Sequence, residues 1–63
     1  MREIVKRPFT DDKFYYEIAL NSTEASSLPT ADVITGSLAL EVDTKKIYAY
    51  DETAAEWTEQ LAL

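Results

Sequence analysis

Apolar and polar positions alternate with a period of two along most of this chain, which predicts strands rather than helices. In residues 13–20, Phe14, Tyr16, Ile18 and Leu20 fall on one face and Tyr15, Glu17 and Ala19 on the other. Aromatic and β-branched residues suit a pleated surface, whereas the Phe14-Tyr15-Tyr16 run packs poorly at helical spacing. Residues 37–43 alternate as cleanly, setting Leu38, Leu40 and Val42 inward and Ala39, Glu41 and Asp43 outward. A return strand over 46–51 is built around Ile47, Tyr48 and Tyr50. Ile4 and Val5 centre a shorter strand over 2–7, which Pro8 ends or confines to a sheet edge because it lacks an N–H. Over 57–62 the alternation of Trp57, Glu59 and Leu61 with Thr58, Gln60 and Ala62 is weaker. The pattern predicts an all-β fold, a small antiparallel meander of four to five strands forming a single domain over residues 1–63.

Residues 21–35 break the alternation with Asn21, Ser22, Thr23, Ser26, Ser27 and Pro29, all turn and cap formers. This irregular central loop has room for one helical turn at Glu24-Ala25-Ser26, capped by Ser22. Leu28, Val33 and Ile34 are its apolar anchors, and Gly36, the single glycine, marks the junction where the backbone needs positive φ or close approach. Thr10-Asp11-Asp12 is a polar turn, and nothing in the pattern decides whether residues 1–12 order on their own.

The hairpin between the third and fourth strands admits two registers. A two-residue loop at Thr44-Lys45 sets Val42 against Ile47 and puts Tyr48 and Tyr50 outside. A three-residue loop with a bulge at Lys45 sets Leu40 against Tyr48 and Leu38 against Tyr50, gathering both tyrosines with the leucines on one face. The second is favoured for that apolar gathering, although it places a lysine at positive φ.

Composition narrows the chemistry sharply. The 63 residues contain no cysteine and no histidine, which removes Ser–His and Cys–His catalysis, disulfides and a zinc site of the usual ligands. One glycine cannot make a phosphate-cradling loop. Twelve acids against six bases give a net charge of −6, unsuited to nucleic-acid phosphates or an anionic membrane. The charge is uneven: Arg2, Lys6, Arg7 and Lys13 lie in the first 13 residues, and nine acids face only Lys45 and Lys46 afterwards. No apolar run reaches the length of a membrane span, and the charged amino terminus lacks the apolar core of a signal peptide. Asp43, Asp51 and Glu52 are the one carboxylate set that suggests acid–base or calcium chemistry if gathered at one end of the sheet, but their spacing does not fit a calcium loop and a domain this small offers little pocket. The expectation is a non-enzyme without cofactor or metal. Tyr15, Tyr48, Tyr50 and Trp57 are the candidate partner contacts, since Tyr and Trp dominate interface hot spots; for Trp57 the core is the stronger reading.

The run from Leu28-Pro29-Thr30 through Val33-Ile34-Thr35-Gly36-Ser37, the strand ending in Val42-Asp43-Thr44, the aromatic return Ile47-Tyr48-Ala49-Tyr50 and Trp57 after an acidic turn resembles small proteins of tailed phages and prophages of Gram-positive bacteria. Those proteins are encoded among head and tail structural genes or form modules of longer virion proteins. The likeness covers roughly the second half of the chain. Two positions depart from it: Lys45 stands where the family usually has glycine, and Leu38 where it has threonine. The resemblance implies a structural or accessory virion protein, located in the virion or in the host cytoplasm during assembly. Its partners would be other virion proteins or copies of itself, in a homo-oligomer or larger assembly. The alternative that the acidity suggests is a small inhibitor of a host protein, including a mimic of DNA charge.

Overall fold

A computed structural model describes residues 1–60 of the chain. Five strands form one sheet in chain order: β1 (Arg2–Pro8), β2 (Phe14–Leu20), β3 (Leu38–Glu41), β4 (Lys46–Asp51) and β5 (Glu56–Gln60). The all-β meander predicted from the alternation is the fold observed, with one topological difference. β1–β2, β3–β4 and β4–β5 are antiparallel, but β2 and β3 run parallel. Parallel neighbours cannot be joined by a tight turn. The irregular loop is therefore a crossover from the end of β2 back to the start of β3, and it lies over one face of the sheet. Of the alternation expected over 57–62, Leu61 and Ala62 lie outside the described residues.

The crossover begins with a 3₁₀ segment, Ser22–Ser27, longer than the single turn expected. Its cap is Asn21, not Ser22: the Asn21 amide donates to Glu24 Oε1 at 2.9 Å and the Glu24 amide donates to the Asn21 carbonyl at 2.9 Å. Ser22 points elsewhere, giving its amide (2.9 Å) and its hydroxyl (2.6 Å) to the two carboxylate oxygens of Asp43 in the β3–β4 turn. Further along, Val33 bridges to Phe14 as an isolated parallel pair, and Gly36 and Ser37 extend the antiparallel ladder to Tyr50. Gly36 has φ +98°, and a Cβ there would meet nothing within 4 Å. Glycine is needed at this position for its conformation and not for space.

The core is Tyr16, Ile18, Leu20, Val33, Ala39 and Tyr50, with Phe14, Ala25, Leu28, Tyr48 and Trp57 partly buried around it. Ser37 is fully buried; its hydroxyl donates to the Ile34 carbonyl (2.9 Å) and accepts the Tyr16 amide (3.1 Å), joining β2 to the crossover.

The β3–β4 hairpin adopts neither anticipated register. Its loop holds four residues, Val42 to Lys45, closed by the Lys45 amide on the Glu41 carbonyl at 2.8 Å. Lys45 does take positive φ, at 63°. The register sets Leu40 against Ile47, Leu38 against Ala49 and Ala39 against Tyr48. Tyr48 and Tyr50 thus face the core as expected, but Leu38, Leu40 and Val42 do not, and the inward residues of β3 are Ala39 and Glu41. The physical reason is volume: large rings on β4 and the overlying crossover leave room for only a small neighbour at Ala39.

Ala55 repeats the left-handed conformation of Lys45, at φ 55°. Lys45→Gly and Ala55→Gly should each stabilise the chain by about 0.5–1 kcal/mol through relief of that strain. Gly36→Ala should destabilise it by about 1–2 kcal/mol. Urea midpoints of the three variants check the signs.

Candidate functional site

The crossover covers one face of the sheet, and among the described residues nothing covers the opposite face. Successive pairings place Arg2, Ala19, Leu40, Ile47 and Gln60 in one row across it, and Val5, Glu17, Leu38, Ala49 and Thr58 in the next. One row further, towards Pro8, Arg7 and Tyr15 lie on the β1–β2 side, and Asp51 and Glu56 on the β4–β5 side. The centre of this face is apolar and wet: Leu38 is 40% exposed, Leu40 43% and Ile47 45%. Ile4 adds to it from a register irregularity between Glu3 and Val5, which frees one residue from the ladder. A shallow concavity of about 280 Å³ runs between Ile4, Glu17, Leu38, Leu40 and Ile47. Val42 (56% exposed) continues the apolar surface past the end of β3.

The four aromatic candidates divide between the faces. Tyr15 alone is on the open face, where its hydroxyl donates to Glu17 Oε2 at 2.8 Å and its ring carries the Arg7 guanidinium at 5.4 Å. The hydrogen bond to Glu17 and partial burial push its pKa up. Tyr48 is half-buried on the core face, its pKa raised by desolvation and by the Glu41 carboxylate. Tyr50 is buried and donates its hydroxyl to the Thr30 carbonyl at 3.0 Å. Trp57 stacks edge-on against Tyr50, centroids 5.3 Å apart, and its indole N–H donates to the Pro29 carbonyl at 2.9 Å. Tyr50 and Trp57 thus clamp Pro29-Thr30 of the crossover to the sheet, and any partner reaching Tyr50 would first have to part that loop. Trp57→Ala should cost about 3 kcal/mol, the low end for a large aromatic because the ring is only half-buried; chemical denaturation of the purified variant measures it.

Asp43, Asp51 and Glu52 do not come together. Asp43 lies in the β3–β4 turn and the other two at the opposite end of β4. Each serves the backbone. Asp43 holds Ser22, Asp51 accepts the Thr53 amide at 2.9 Å, and Glu52 exchanges two bonds with Thr35: it accepts the Thr35 amide (2.9 Å) and gives its own amide to the Thr35 hydroxyl (2.8 Å). Lys13 approaches the same Glu52 carboxylate at 3.8 Å. Among the described residues, no three potential ligand residues are grouped to hold a metal ion.

These bonds have an electrostatic consequence. Asp43 is held below the usual carboxylate range by the Ser22 hydroxyl and amide, Glu52 by the Thr35 amide, and Glu24 by the Asn21 amide and the amino terminus. A carboxyl with a lowered folded-state pKa stabilises above its unfolded value and loses that contribution as pH falls through the folded one. All three groups fasten the crossover. The chain should therefore lose stability as pH drops below about 4, with the crossover loosening first, and amide exchange of residues 22–35 followed against pH checks it.

The sequence carries a signal for the open face. Strand β4 carries Ile47 and Ala49 in one phase and Tyr48 and Tyr50 in the other, and β3 sets Leu38 and Leu40 against Ala39. Apolar residues in both phases predict two buried faces. Among the described residues one loop covers the sheet.

Comparison with protein-family models, with curated proteins and with solved structures finds no match.

Proposed function

We propose that the chain is a structural or accessory virion protein that works by docking onto other proteins, virion components or further copies of itself. One observation carries the docking role: an apolar sheet face, centred on Leu38, Leu40 and Ile47, that none of the described residues covers. Contiguous apolar surface of this kind, rimmed by charge, marks protein interaction sites. The virion context rests on the resemblance of residues 28–57 to small phage structural-region proteins. The competing reading, an acidic inhibitor mimicking DNA, needs a field of free carboxylates. The acids instead lie apart, Asp43 at the β3–β4 turn and Asp51 and Glu52 at the opposite end of β4, and Lys46 lies 3.8 Å from Glu59.

Mass spectrometry of particles purified from cells producing this protein tests the role. The chain should be present at a fixed ratio to the major virion proteins. Its absence from washed particles would overturn the reading, and salt-sensitive competition with DNA for a basic protein would favour the inhibitor.

A further inference from the structure

We infer that the first occupant of the open face is a second copy of this chain, stacked face to face about a two-fold axis that runs parallel to the strands through β3. This specifies the partner within the docking role proposed for the chain.

The distribution of charge selects the partner and the axis. At the Pro8 end of the open face Arg7 sits on β1, with Asp51 on β4 and Glu56 on β5. β1 lies three strand spacings from β4 and four from β5, about 14 and 19 Å, so these opposite charges cannot meet within one molecule. A two-fold axis along β3 carries β1 of one copy over β5 of the other while keeping each row at its own level. Arg7 then faces Glu56 and Asp51 of its mate, twice by symmetry. The apolar rows meet in the middle, with Leu38 and Leu40 nearest the axis and Ile47 over Ala19. A two-fold axis perpendicular to the strands would lay β1 over β1 and Arg7 near Arg2 of the mate, like charge on like. Two stacked sheets packing at about −30° form an ordinary sandwich, in which the crossover covers each outer face.

Size and one charge set the strength. Five strands and three rows give roughly 500 Å² of flat face, about 1,000 Å² for the pair, the low end for a specific interface. Glu17 lies within the contact, held by the Tyr15 hydroxyl, and opposes burial. The dimer is accordingly weak, with dissociation in the micromolar range or above.

Sedimentation equilibrium of the purified chain from about 1 μM to about 1 mM tests this. A reversible monomer–dimer equilibrium is expected. Leu40→Lys should weaken it by about 30-fold or more while the far-ultraviolet spectrum stays that of the folded chain. Arg7→Glu should weaken it, Arg7→Glu with Glu56→Arg should restore it, and Glu17→Gln should tighten it. The charge pair alone decides the matter if Leu40→Lys fails to fold. Three results overturn the inference: a monomer throughout the range, an oligomer indifferent to Leu40→Lys (pairing at the sheet edges), or no recovery in the double charge reversal. A monomeric chain that is nonetheless present in purified particles overturns the second copy and leaves the docking role standing. A dimer absent from particles does the opposite.

Discussion

Tyr50→Ala is expected to leave the isolated chain unfolded. The side chain is only 4% exposed, and it joins three parts of the fold. Its ring meets Trp57 of β5 edge-on, its hydroxyl holds the Thr30 carbonyl of the crossover, and its backbone pairs with Gly36 and Ser37, where the crossover rejoins the sheet. Truncating a buried aromatic costs about 3–5 kcal/mol. A chain of 63 residues has roughly 3–9 kcal/mol in total, at about 0.05–0.15 per residue. The substitution therefore removes most or all of the margin. Tyr50→Phe separates the ring from the hydroxyl: it should fold, at a loss of about 1 kcal/mol for the bond to Thr30. Circular dichroism and amide chemical-shift dispersion report both outcomes. A folded Tyr50→Ala chain of near wild-type stability would mean that the crossover is not clamped at this point.

The second large effect belongs to β3. Ala39 is 1% exposed and lies against Tyr48 on one side and Ile18 on the other. A lysine there would have to displace the rings or bury an ammonium without a counter-charge, and either is worth more than the chain has to spare. Ala39→Lys should not fold. Its neighbour Leu40 points to water, and Leu40→Lys should change the stability of the monomer by less than about 1 kcal/mol. The preference is the reverse of what hydrophobicity alone suggests for an Ala-Leu pair in a strand.

That reversal marks where the sequence could be read and where it could not. The strands were legible because the alternation from Phe14 to Leu20, and again in 37–43 and 46–51, is strong, and β-sheet boundaries follow the turn residues around it. Gly36 was legible as a conformational junction, and Lys45 as a residue at positive φ. The direction of β3 relative to β2 was not legible, because a 17-residue connection suits a crossover as well as a long hairpin loop. The inward face of β3 followed from that missing fact. Leu38 and Leu40 are the more apolar phase, but the crossover settles on the phase with Ser37 and Ala39, where small side chains admit Val33 and the tyrosine rings. Asp43 and Glu52 stand among turn residues, but their bonds to Ser22 and Thr35 depend on the crossover and have no local signature. For the candidate site the lesson is similar. Of the aromatic candidates, Tyr50 and Trp57 hold the loop and Tyr48 packs against the core, while the plain aliphatics Leu38, Leu40 and Ile47 form the open face.

The central claim is that this sheet has one closed face and one open face, with Ala39 turned to the first and Leu40 to the second. Thermal unfolding of Ala39→Lys and Leu40→Lys, measured side by side at low protein concentration, tests it most directly. A cooperative transition near that of the wild type for Leu40→Lys, with none for Ala39→Lys, is the predicted result; a folded Ala39→Lys chain beside an unfolded Leu40→Lys chain would contradict it.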